Sequence, residues 1–146
     1  MLSRRFILCI SLFLAISYAN AGYGEQTFVI FTLNHNIPEI SRAKAKMLYT
    51  GKLKSIKPVG RVQLMDWQHN SSERASFYRQ LANKTTGQIN SLWASAAFSG
   101  KAKPPTPLQD TTSAAITQWL QDQNNGIAYA PQEDIPVNSK ILLIVK

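Results

Sequence analysis

Residues 62–74 read VQLMDWQHNSSER, and this stretch decides the architecture because it passes from a strand pattern to a helix start within one short loop. Val62, Leu64 and Asp66 alternate with Gln63, Met65 and Trp67, the two-residue period of a β-strand. His69 and Asn70 are polar loop residues. Ser71 and Ser72 then offer hydroxyl caps, and Glu73 places an acid in the first turn, where the helix dipole favours it. Phe77, Tyr78 and Leu81 continue the helix on one face.

The same alternation extends in both directions. Upstream, Thr27 to Leu33 (TFVIFTL) is a β-branched and aromatic run that reads as a buried strand. Asn34 to Pro38 is a polar loop, and Ser41 caps a helix over 42–49 that Gly51 ends. Ile56 to Gly60, with a proline and a glycine, reads as a connection. Downstream, Thr86 opens a helix with Ile89, Leu92, Trp93 and Ala96 on one side, and Gly100 ends it. Lys101 to Asp110 carries Pro104, Pro105 and Pro107 and reads as a loop. Thr112 caps a last helix, with Ile116, Trp119 and Leu120 inward. Ile127 to Ala130 and Lys140 to Val145 are further strands. Strands alternating with helices predict an α/β sheet with some parallel pairing.

The N-terminus reads as an export signal. Arg4 and Arg5 precede an apolar run from Phe6 to Ile16, and Ala19-Asn20-Ala21 supplies a small-x-small cleavage pattern before Gly22. A run of about 11 residues is too short for a bilayer, which needs roughly 20. The expected organisation is therefore a cleaved signal over 1–21 and one α/β domain over 22–146, periplasmic or secreted from a bacterium. Cys9 is the one cysteine and leaves with the signal, so the domain relies on its core and not on disulfides. Of sixteen basic residues, Arg4 and Arg5 are also lost; fourteen remain against eight acidic ones, a net charge of +6. That balance favours anionic partners, although the charges are scattered as on an ordinary solvated surface. Nucleic acid is not expected, because no stripe interleaves basic and aromatic residues.

Enzyme signatures are missing: no nucleophilic Cys, no Gly-x-Ser-x-Gly elbow, no phosphate-binding glycine loop. No catalytic residue and no cofactor is expected. His35 and His69 each follow a strand, but no acid stands at ligand spacing to either, so a metal site is not expected. The best candidate is Ser71-Ser72-Glu73-Arg74. A helix start after a strand leaves backbone N–H groups unpaired, and with two hydroxyls and a guanidinium it makes an oxyanion site. The competing reading is plain N-capping beside a solvated arginine. A guanidinium at such a place is seldom essential to stability, so Arg74→Ala is expected to leave the fold intact. Trp93 and Trp119 read as core; Trp67, beside the candidate site, reads as core or as a pocket wall.

Four segments in order carry a resemblance. Residues 40–52 (ISRAKAKMLYTGK), 71–77 (SSERASF), 98–105 (FSGKAKPP) and 126–129 (GIAY) are similar to segments of the phosphate-binding proteins of ABC transporters and their short, single-domain relatives. The resemblance implies a periplasmic-binding-protein-like single lobe, a mixed sheet flanked by helices, with phosphate or a related oxyanion as ligand. It places Ser71, Ser72 and Arg74 at the family's hydroxyl, amide and guanidinium contacts, and Asn34 or Asn36 where a further contact falls. Two departures stand out. Ser72 and Glu73 replace the family's Gly and Thr, and 125 residues is about half of what two closing lobes require. The implied partners are a small inorganic anion, phosphate first, and a membrane transporter or envelope protein; a homodimer through an exposed apolar face fits as well. The alternative is an interaction or sensor domain of an envelope complex that kept the fold and lost the ligand.

Overall fold

A computed structural model describes residues 25–146. The export signal expected over 1–21 lies outside the described residues. Among those described, no helix is long and apolar enough to cross a membrane. The elements in chain order are β1 (Phe28–Thr32), α1 (Arg42–Tyr49), β2 (Ser55–Ile56), β3 (Gly60–Arg61), β4 (Gln63–Asp66), α2 (Ser72–Ala82), α3 (Thr86–Phe98), β5 (Thr106–Pro107), α4 (Ser113–Asp122), β6 (Gly126–Pro131) and β7 (Lys140–Val145).

Five strands form one mixed sheet in the order β5-β4-β6-β1-β7. β4 runs parallel to both β5 and β6, whereas β1 runs antiparallel to β6 and to β7. The expected mixed α/β sheet is thus present. β1 and β6 are its centre, and every residue in both is buried, which explains their uninterrupted apolar runs. β2 and β3 pair as a separate small hairpin. Sequence reading took that hairpin and β5 for loop, because two-residue strands carry no periodicity.

Each α-helix starts at a hydroxyl. Ser41, Ser71, Thr85 and Thr112 accept backbone N–H groups three residues ahead, satisfying donors that the first turn cannot pair internally. α1 and α2 bring Tyr49, Phe77 and Tyr78 onto Phe28 and Tyr129 of the sheet. Phe77 stacks on Tyr129 at 3.5 Å between centroids and 6° between planes, and the neighbouring rings meet edge to face. On the opposite side of β6, Gly126 is required by close approach: a Cβ there would lie 3.0 Å from Leu120 of α4 and 3.0 Å from Gln123. Trp93 ties α3 to the end of α1 by donating its indole N–H to the Tyr49 carbonyl at 3.1 Å.

Candidate functional site

The site grows from the last residue of β4. Asp66 ends that strand with its carboxylate turned inward, 3% exposed. A buried carboxylate is costly unless it is paired and fully hydrogen-bonded, and Asp66 is. Its Oδ1 accepts from the Trp67 N–H at 2.9 Å and from the Tyr129 hydroxyl at 2.5 Å. Its Oδ2 accepts from Arg74 Nε at 2.8 Å and from the Tyr78 hydroxyl at 3.1 Å. Four donors, from α2, from β6 and from the residue that follows β4, converge on one side chain.

Arg74 is 1% exposed and is the largest fully buried side chain among the described residues. Its Nη2 donates to the Asn90 side-chain oxygen of α3 at 3.0 Å, and its guanidinium carbon sits 5.1 Å from the centre of the Tyr78 ring. Nη1 is buried with no hydrogen-bond partner among the described residues. Burial pulls the Arg74 pKa down, but the charge and hydrogen bond of Asp66 outweigh it and leave it above the ordinary value. Burial, reinforced by the Asp66 charge, pushes Tyr49, Tyr78 and Tyr129 well above the usual tyrosine value. The cluster therefore keeps its guanidinium charged and its phenols neutral at neutral pH.

A cavity of about 220 Å³ adjoins the pair. Asp66, Arg74, His69 and Asn90 give its polar edge; Trp93, Ala94, Pro104, Pro105 and Pro107 give its apolar wall. An unpaired guanidinium nitrogen on a residue lining a cavity next to a helix start is what a carboxylate, phosphate or sulfate would seek.

The structure brings together only part of what the sequence nominated. Ser71 is the N-cap of α2 and its hydroxyl oxygen accepts the Arg74 N–H at 3.2 Å. The exposed Ser72 hydroxyl donates to Glu73 at 3.1 Å. Both stand beside the buried pair, outside the cavity lining. Asn34 and Asn36 are not brought to this place. Because β1 is antiparallel to β6 and β4 parallel to it, the end of β1 lies at the start of β4, across the sheet from α2. Asn34 there donates to the Asn124 carbonyl and to the Asn125 side chain, and accepts the Asn36 N–H. Its visible work is to hold a turn. The same topology puts His35 and His69 at opposite ends of the sheet. Trp67 is buried, donates to the Tyr129 carbonyl at 3.0 Å and does not line the cavity; Trp93 does.

The competing reading of Arg74 as a solvated arginine beside a capping serine is corrected outright, and with it the expectation that Arg74→Ala leaves the fold untouched: Arg74 is the centre of a buried ion pair. Sequence reading passed over Asp66 and Asn90. The signal for Asp66 was there, an acid in a strand otherwise made to be buried, and acids are almost never buried without a cation.

No protein-family model matches the sequence, and no curated protein matches it. Solved structures do. The crystal structure of an ABC-type phosphate transport receptor from Vibrio cholerae superposes with a TM-score of 0.57 at 11% identity, over 80% of this chain and 45% of that one. A putative phosphate ABC transporter substrate-binding protein with bound phosphate, from Clostridium perfringens, gives 0.58 at 16% identity, over 80% and 44%. The chain has the periplasmic-binding-protein fold. It spans less than half the length of each of these two binding proteins. The fold expected from the four short segments is thereby met.

Proposed function

We propose that this chain is an extracytoplasmic, single-lobed binding domain for phosphate or a related oxyanion, with Arg74 as its principal ligand group. The observation that carries the reading is the buried Arg74, one of the residues lining the cavity: Asp66 and Asn90 fix two of its nitrogens, and the third, itself buried, has no partner among the described residues. A guanidinium held in place by an internal carboxylate presents its remaining N–H groups without losing side-chain entropy on binding. Asn90 and His69 complete the polar side of the cavity. The export signal read over 1–21 and the phosphate-binding neighbours support the location and the ligand. The mechanism is binding alone, and a transporter or other envelope protein is the partner that would use it.

A second reading is favoured by a specific observation. Asp66 already neutralises Arg74, and the hydroxyls of Ser71 and Ser72 are engaged within α2. A domain so satisfied could serve an envelope complex or a sensor with no ligand, and the 97% exposed Phe98 and 86% exposed Val137 would then belong to a protein contact.

Isothermal titration of residues 22–146 with phosphate at low salt separates the two. The binding reading expects saturable heat that disappears in Arg74→Lys, which keeps a cation for Asp66 but has no second nitrogen to present. Unchanged affinity in Arg74→Lys would move the site elsewhere; no heat up to millimolar phosphate would leave the interaction reading.

A further inference from the structure

We infer that the ligand of this cavity is an organic oxyanion, a phosphate monoester carrying a short apolar body, and not the bare tetrahedral ion. The inference rests on the binding reading above and names its ligand more closely. The cavity is two-sided. One edge is polar, formed by Arg74 with its partner Asp66, by Asn90 and by His69, and an anionic head group there would take the Arg74 and Asn90 donors beside the Asp66 carboxylate. The remaining wall is apolar, formed by Trp93 and Ala94 of α3 and by Pro104, Pro105 and Pro107 of the following segment.

Inorganic phosphate has no use for such a wall. All its oxygens seek donors, and an apolar surface facing one strips water from it without returning a hydrogen bond. Three prolines sharpen the point, since none can offer a backbone N–H. Size agrees. A cavity of roughly 150 Å³ with apolar walls is enough to hold benzene, so about 220 Å³ accommodates a small ring or branched chain with its head group at Arg74. Trp93 is fixed by its bond to the Tyr49 carbonyl and offers a rigid aromatic surface at low entropic cost. Pro105 is buried and Pro107 is held in β5 against β4, so the wall opposite is equally stiff.

Titration of residues 22–146, which contain every described element, tests this with three probes: inorganic phosphate, methyl phosphate and phenyl phosphate. Affinity is expected to rise in that order, with phenyl phosphate about tenfold tighter than inorganic phosphate from the apolar area it buries. Inorganic phosphate binding as tightly as phenyl phosphate, or more tightly, would overturn the inference and leave the oxyanion reading standing. Heat from none of the three would remove both. Ala94→Phe fills the apolar side from an exposed helix position and is expected to abolish the preference for phenyl phosphate over inorganic phosphate. A preference that survives Ala94→Phe, with native far-UV circular dichroism, would also overturn it.

Discussion

Removing the guanidinium of Arg74 should cost this domain several kcal/mol of stability. In Arg74→Ala the Asp66 carboxylate stays where it is, 3% exposed, and loses its only counter-charge, since the Arg74–Asp66 bridge is the one salt bridge among the described residues. The two tyrosine hydroxyls and the Trp67 N–H remain as donors, so the carboxylate keeps hydrogen bonds but no cation. Breaking a buried pair from one side costs about 3–5 kcal/mol. For a domain of this size that is a fall in Tm of about 10–20 °C. Urea unfolding at pH 7 and low salt measures it directly, as a lower midpoint at unchanged slope. The double variant Arg74→Met with Asp66→Asn carries neither charge, and should lose at least about 1 kcal/mol less than the sum of its single variants. A loss below about 1 kcal/mol in Arg74→Ala, the value of an exposed ion pair, would refute the buried-pair geometry and restore the solvated arginine of the capping reading.

Two further outcomes follow, one from the same cluster and one from the opposite end of the sheet. Tyr49, Tyr78 and Tyr129 hold their protons more tightly folded than unfolded, through burial first and the Asp66 charge second. The folded state then binds more protons once the unfolded tyrosines ionise, so their contribution is complete below about pH 10 and is lost as pH rises above it. Absorbance at 295 nm should show these three ionising only together with unfolding; their smooth titration in the folded protein near pH 10 would show that they are solvated. Asn34→Ala should cost about 1 kcal/mol, by releasing the Asn124–Asn125 turn, and leave oxyanion affinity unchanged; a fall in affinity by titration would return Asn34 to the binding site.

What the sequence made legible was whatever has a period or a cap. The bounds of α1 and β7 could be read to the residue, because Ser41 and Gly51 punctuate the first and an uninterrupted apolar run defines the second. β5 could not, because Thr106–Pro107 has strand character only through pairing with β4. The site was half legible for a related reason. Capping chemistry points to Ser71 whatever the rest of the chain does, whereas the meaning of Arg74 depends on Asp66, eight positions away, and on a tyrosine from β6. The motif reading treated Arg74 as an exposed ligand donor; the fold spends most of that guanidinium on its own core. Those two uses are compatible only if the internal carboxylate orients the group for an outside anion and does not replace that anion. The unpaired Nη1 is the physical reason to favour orientation, since a purely structural arginine in so dry a place would leave a donor unsatisfied at a cost of about 1–3 kcal/mol. An oxyanion would remove that cost only by reaching Nη1, which is itself buried.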